Sequence, residues 1–252
     1  MYENYVFDLY GTLVDINTDE GFDELWEKMA LFYGYYGARY TPEELKESYY
    51  SIVKQDEAKL KKSQEESPRY VHEAFPEIQI EYVFKKLFED KNVDADMELA
   101  IHTGQFFRVT STKYVKLYDG ALELIDAIKK AGKKVWLLSN AQRIFTEYEM
   151  RYLGLYDKFD GVLISSDHKT KKPDIRFFDI LKEKFNIDFD KSIMIGNDAN
   201  SDIGGAKGAG MDTFFIYSNI SPWMTPSQIE DVEATYKLDN MNLVKVKEML
   251  GL

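Results

Sequence analysis

Four short stretches of this chain carry residue types that can together move a phosphoryl group. The first is Tyr5-Val6-Phe7-Asp8-Leu9-Tyr10-Gly11-Thr12-Leu13-Val14-Asp15. Its apolar start reads as the end of a buried strand, which Gly11 breaks in a tight turn. Asp8 falls at that boundary, where an open parallel sheet presents its carboxyl edge to ligands. The second stretch runs from Val135 to Ser139 and Asn140, and the third is Lys171-Lys172-Pro173-Asp174. The fourth is Ile193-Met194-Ile195-Gly196-Asn197-Asp198, with Asp202 after it.

Moving a phosphoryl group requires that its charge be neutralised, an attacking oxygen held in line and the leaving oxygen stabilised. A carboxylate such as Asp8 can attack and split the reaction into two steps. Lys172 brings a positive charge to balance Asp8 and the phosphate. Ser139 offers a hydroxyl at a strand end, Thr12 another within reach of whatever Asp8 binds, and Asn140 shapes the turn beside them. These three are the candidate substrate-binding residues. Magnesium prefers oxygen ligands, one or two carboxylates with waters and substrate oxygens. Asp8, the backbone oxygen of Tyr10 and Asp198 meet that need, and Asp202 would orient waters or back up the ion. Each residue alone has a plainer reading: Asp8 as a turn residue, Ser139 as a helix cap, Lys172 as a solvated lysine, Asp202 as a first-turn helix acid. Their order as a set is what raises the catalytic reading above these.

In order and spacing the four stretches resemble the haloacid dehalogenase-like hydrolase superfamily, over about residues 4–15 and 117–218. The resemblance implies a phosphatase-type member with a helical cap inserted after the first motif, acting on a small phosphorylated metabolite through an aspartyl-phosphate on Asp8, with Mg2+. It assigns Ser139 to phosphate binding, Lys172 to charge balance, and Asp198 and Asp202 to the metal. One position departs from the pattern. Family phosphatases place an acid two residues after the nucleophile, and here that place holds Tyr10. A free phenol has a pKa of about 10, so it can donate a proton at neutral pH but is a poor base. Tyrosine there resembles the dehalogenase branch, whose halide leaves without a proton and without a metal. That branch, however, carries neutral residues in place of Asp198 and a cap arginine for the substrate. The stretch Pro42 to Tyr50 has none, and only Arg39 is nearby. A metal-independent 2-haloacid dehalogenase using Asp8 is thus the alternative reading, and a non-enzymatic binding protein on the same fold is a second. Tyr10 invites two substrate expectations: a good leaving group such as an acyl phosphate, or an acid supplied by the cap.

Net charge is −12 and the pI about 4.9, so nucleic acid and anionic membrane surfaces would be repelled. The absence of cysteine removes disulfides and thiolate chemistry. No run of about 18 apolar residues occurs, and no basic, apolar leader opens the chain. The expectation is a cytoplasmic protein, monomer or homodimer.

The elements that must position these residues follow from periodicity. After Asp15, apolar residues at three-to-four spacing predict helices over Gly21–Tyr36, Thr41 to about Lys62, Glu81–Glu89 and Asp96–Val109, with a loop or frayed end over Lys61–Arg69. Thr41-Pro42-Glu43-Glu44 is a capping-box start. No strand signal stands out between Asp15 and Leu117. From Leu117 onward strands and helices alternate, at Val135–Leu138, Gly161–Ser165, Ser192–Gly196, Thr213–Tyr217 and an edge strand at Thr235–Leu238. Helical crossovers of this length demand parallel pairing. The expected architecture is a doubly wound three-layer α/β core (1–15 and 112–252) with an all-helical cap domain (16–111). The cap's aromatic residues, Phe32, Tyr33, Tyr35, Tyr36, Tyr40, Tyr49 and Tyr50, are expected mainly as helix packing.

Overall fold

The first strand, β1 (Asn4–Phe7), is buried along its whole length and sits in the middle of the molecule. A computed structural model describes residues 2–67 and 72–252. Around β1 a six-stranded sheet is built from β4 (Lys134–Ser139), β5 (Gly161–Ile164), β6 (Ser192–Gly196), β7 (Asp212–Ile216) and β8 (Tyr236–Leu238). Every pairing is parallel, in the order β5-β4-β1-β6-β7-β8. Side chains alternate across it as strand geometry requires. Tyr5, Phe7, Leu137, Ile195 and Phe214 meet helices α5 (Ala121–Lys130) and α11 (Leu243–Met249) on one face. Val6, Trp136, Leu138 and Met194 meet Phe177, Phe178 and Leu181 of α8 (Ile175–Phe185) on the other. The doubly wound three-layer core is therefore observed.

The strand order runs outward in opposite senses on the two sides of β1. That reversal opens a crevice beyond the carboxyl ends of β1, β4 and β6, and Asp8, Ser139–Asn140 and Asn197–Asp198 all fall there. Helix α6 (Arg143–Tyr152) follows β4, and the short α7 (Ser165–His168) follows β5. The helix expected from Asn200 begins instead as a π-helical turn, Ala199–Gly204, before α9 (Gly205–Gly208). A short α10 (Pro226–Asp231) carries a capping box from Thr225 to Gln228.

Between β1 and α5 the described residues form four helices: α1 (Asp23–Tyr35), α2 (Pro42–Glu65), α3 (Ile80–Glu89) and α4 (Met97–Ser111). The Thr41–Glu44 capping box forms as expected. The helix it opens runs on through Glu65, so the loop expected from Lys61 is helical at its start, while 68–69 of that stretch lie outside the described residues. Leu25, Trp26, Tyr33, Tyr49, Phe84 and Phe107 make a separate aromatic core there. Tyr35, Tyr36 and Tyr50 are exposed instead.

The expectation of no strand between Asp15 and Leu117 fails. β2 (Val14–Thr18) and β3 (Thr112–Leu117) pair antiparallel in a two-stranded ribbon where the chain leaves and re-enters the sheet domain. β3 is half-exposed and, among the described residues, pairs with β2 alone; only Val115 and Leu117 of it turn toward the core, too short an alternation for periodicity to detect. Among the described residues no helix is long and apolar enough to cross a membrane.

Candidate active site

Asp8 leaves β1 with its amide still bonded to Ile195 of β6 (3.0 Å), so the sheet fixes its backbone. The turn after it is tight: the amides of Leu13 and Val14 both donate to the carbonyl of Leu9 at 2.9 Å. Gly11 takes φ +88°, and a Cβ there would lie 2.3 Å from the Asn197 side chain. Only glycine allows the first and fourth motif loops to approach this closely. Thr12, fully buried, ties the same two loops by donating to Oδ1 of Asn197 at 3.3 Å. Its hydroxyl thus joins loops, whereas the sequence reading offered it to the ligand.

Lys172 is the centre of the site. Its Nζ donates to Asp8 Oδ1 (2.7 Å), to Asp202 Oδ1 (2.6 Å) and to the carbonyl of Leu138 (2.7 Å), and the side chain is almost wholly enclosed. Burial alone would lower the lysine's pKa, but Asp202 and Asp8 outweigh it and hold the ammonium above its ordinary value. Burial pushes the Asp8 carboxyl up; Lys172 opposes this and the like charge of Asp202 adds to it. Two carboxylates and one ammonium leave the buried cluster with an excess negative charge, which further cationic charge would offset.

Asn140 positions the lysine. Its Nδ2 donates to the carbonyl of Lys172 (2.9 Å) and its Oδ1 accepts the amide of Lys172 (2.8 Å). Both ends of the amide are spent on the backbone, so Asn140 clamps the loop rather than facing a substrate. Between Asn140 and Leu138 stands Ser139. Its hydroxyl is fully buried and makes no hydrogen bond among the described residues. A buried hydroxyl without a partner costs about 1–3 kcal/mol, and a phosphate oxygen would relieve that cost.

The four residues suggested for a metal do not converge as a carboxylate cluster. Asp202 gives Oδ1 to Lys172, and its Oδ2 accepts the amides of Asn197 and Asp198, both at 3.0 Å. Gly196 makes room for it, since a Cβ there would sit 2.3 Å from that oxygen. Asp198 is half-buried, and its Oδ1 caps the π-helical turn by accepting the amides of Asn200 (2.8 Å) and Ser201 (2.9 Å). Among the described residues no three His, Cys, Asp or Glu are grouped to hold a metal ion.

Tyr10 turns away from this chemistry. Its hydroxyl donates to Glu149 Oε2 (2.5 Å) and lies 3.1 Å from the hydroxyl of Thr146, both on α6. Glu149 is held in turn by a bidentate fork from Arg108 of α4, at 2.6 and 3.2 Å. Burial, and then the charge of Glu149, raise the phenol's pKa far above its usual value. Neither Arg108 nor Glu149 stands out in the sequence, and their separation of 41 residues carries no motif. Arg39, the arginine nearest the Pro42–Tyr50 stretch, is exposed.

A glyceraldehyde 3-phosphate phosphatase of Methanothermobacter thermautotrophicus is 33% identical over 98 residues, 39% of this chain and 43% of that one. A pyrimidine 5'-nucleotidase of Escherichia coli is 30% identical over 122 residues, covering 45% and 54%. The chain spans about half the length of the curated relatives it matches. Among solved structures, a 2-haloacid dehalogenase of Pseudomonas syringae superposes with a TM-score of 0.65 at 21% identity, over 100% of this chain and 99% of that one. A phosphatase of Thermococcus onnurineus does so at 0.58 and 17%, over 99% and 98%. These two likenesses concern the fold. The model of the haloacid dehalogenase-like hydrolases matches residues 2–210, and with that the chain belongs to the haloacid dehalogenase-like hydrolase family.

Proposed function

We propose that this protein is a magnesium-dependent phosphohydrolase acting on a small phosphorylated metabolite, with Asp8 as nucleophile. The observation that carries this reading is the enclosed Asp8–Lys172–Asp202 cluster beside the unpartnered hydroxyl of Ser139. A carboxylate oxygen of Asp8 attacks phosphorus, the bond to the leaving oxygen breaks, and water then cleaves the aspartyl-phosphate. Lys172 balances charge on Asp8, and Asp202 keeps the lysine in place. Ser139 donates to a phosphate oxygen. The names of the relatives, phosphatases and a nucleotidase, support the substrate class.

The donor set fits a hard cation. Asp8 gives only one of its two oxygens to Lys172, Asp198 only one to its turn, and the groups on hand are oxygens. Magnesium needs no more than one or two carboxylates beside waters and substrate. Asp8, the carbonyl of Tyr10 and Asp198 would hold it, with Asp202 reserved for Lys172. Bound there, the ion would neutralise phosphate charge.

With the Tyr10 hydroxyl engaged by Glu149, no acid stands two residues after Asp8. A substrate whose leaving oxygen needs little protonation, an acyl phosphate or an activated ester, suits the site better than an alkyl ester. The same observation favours a second reading, 2-haloacid dehalogenation on Asp8, in which halide leaves unprotonated. One assay separates the two: hydrolysis of p-nitrophenyl phosphate with magnesium or with EDTA, on wild type and Asp8→Asn. Magnesium-dependent release that falls at least about a thousand-fold in the variant is expected. No release under either condition, with halide freed from 2-chloropropionate, would replace the phosphatase reading with the second.

A further inference from the structure

Arg108 and Glu149 form a partly buried bidentate ion pair, which reaches the chain two residues from the nucleophile by way of the Tyr10 hydroxyl. Arg108 lies on α4, the last helix before the chain returns through the ribbon; Glu149 and Tyr10 belong to the sheet domain. The carbonyl of Arg108 also accepts the hydroxyls of Ser111 (3.1 Å) and Thr112 (2.6 Å), where helix becomes ribbon. The guanidinium stands 5.6 Å from the Tyr10 ring and 5.3 Å from that of Phe145.

Packing explains why this pair matters. At Gly104, α4 meets α6 closely: a Cβ there would sit 2.6 Å from Ile144. Farther toward the C-terminal end of α4 lies a cavity of about 720 Å³, lined by Arg108 and Val109 of α4, Tyr148, Glu149 and Tyr152 of α6, and Val115 of the ribbon. Side-chain packing cannot fix the helix across an open space. The ion pair joins the two helices at its wall.

We propose that Arg108 and Glu149 are positioning residues for catalysis: they register the helical cap on the nucleophile loop through the Tyr10 hydroxyl, and Tyr10 serves this link rather than proton transfer. Asp8 follows β1 directly, and a single residue, Leu9, separates it from Tyr10. A shift of the Tyr10 ring is therefore felt at the attacking oxygen, where a misplacement of about 1 Å can cost a hundred-fold in rate. The kinetic part of this inference rests on the phosphohydrolase reading; the cap-registering part does not.

The test compares Tyr10→Phe, Glu149→Gln, Arg108→Lys and the Tyr10→Phe/Arg108→Lys double variant. Two measurements are made: turnover of p-nitrophenyl phosphate and propyl phosphate with magnesium, and amide hydrogen exchange across the chain. Each single variant is expected to lower kcat about 3- to 30-fold with KM within about two-fold, the scale of coupling through contiguous networks. On both esters the factor should be the same for Tyr10→Phe, because no proton is at stake. The double variant should be no worse than the poorer single, as for residues acting as one unit. Exchange should quicken over α4 and the ribbon alone. A loss on propyl phosphate ten-fold greater than on the aryl ester would make Tyr10 the acid and overturn the proposal. Multiplying losses, unchanged exchange in α4, or uniformly faster exchange would overturn it too. Should wild type hydrolyse neither ester, the phosphohydrolase reading fails while the exchange pattern still decides whether the pair registers the cap. Should Glu149→Gln not fold, Tyr10→Phe, which removes one oxygen, carries the test.

Discussion

Two buried charge clusters flank the turn after β1, and they differ in what they leave over. Around Asp8, Lys172 is saturated by three oxygens, yet the neighbouring Ser139 hydroxyl has no partner and Asp8 offers an oxygen that Lys172 does not use. Around Tyr10, Glu149 accepts the tyrosine hydroxyl and both prongs of the Arg108 fork, and its two carboxylate oxygens are taken. Both clusters are costly to bury. The first keeps bonding capacity in reserve, as the proposed ligand site requires; in the second both oxygens of the carboxylate are taken. Buried charge alone does not mark a site. Residual capacity does.

The sharpest way to break this contrast is Lys172→Met. It strands two enclosed carboxylates, and a loss of about 3–5 kcal/mol in unfolding free energy is expected, measurable by urea denaturation, together with loss of turnover. A variant as stable as wild type would mean that the cluster is not a buried ion network. Gly11→Ala is next. The left-handed backbone and the 2.3 Å approach of Asn197 predict a cost of about 1–3 kcal/mol. A smaller effect would mean that the two motif loops can part. Ser139→Ala should separate the clusters by sign. Removing an unpartnered hydroxyl should leave stability unchanged or raise it by about 1 kcal/mol, while KM for a phosphate ester rises about ten-fold or more. Lost stability with unaltered KM would show a hydroxyl that is structural after all.

Much of the core was legible because its strands are short apolar runs, each ending at a polar motif. The place of Asp8 was readable because a topological switch point gathers strand ends; Lys172 stands in the loop after α7, and its contact with Asp8 is seen only in the fold. What spacing does not encode is where a side chain's bonds are spent. Asn140 reads as a substrate residue and clamps a backbone; Asp202 reads as a metal acid and holds a lysine; Asp198 caps a turn. Tyr10 reads as a substitute acid, and its hydroxyl is committed to a glutamate 139 residues away. Partners that far apart meet only in the folded chain. The ribbon escaped notice because its apolar face is only two residues deep on each strand, Val14 and Ile16 against Leu117 and Val115, too short a run for periodicity to show.

That ribbon has an evolutionary consequence. Across it Asn17 faces Tyr114 and Ile16 faces Val115, so the two ends of the helical insert already stand as neighbours on adjoining strands. Cross-strand Cα atoms lie about 5 Å apart, a gap that a two-residue turn closes. The whole helical unit can therefore be treated as a cassette, removed or exchanged at one place without rerouting β1 or the strands beside it. A graft that keeps an arginine where Arg108 meets Glu149 would also keep the contact that reaches Tyr10.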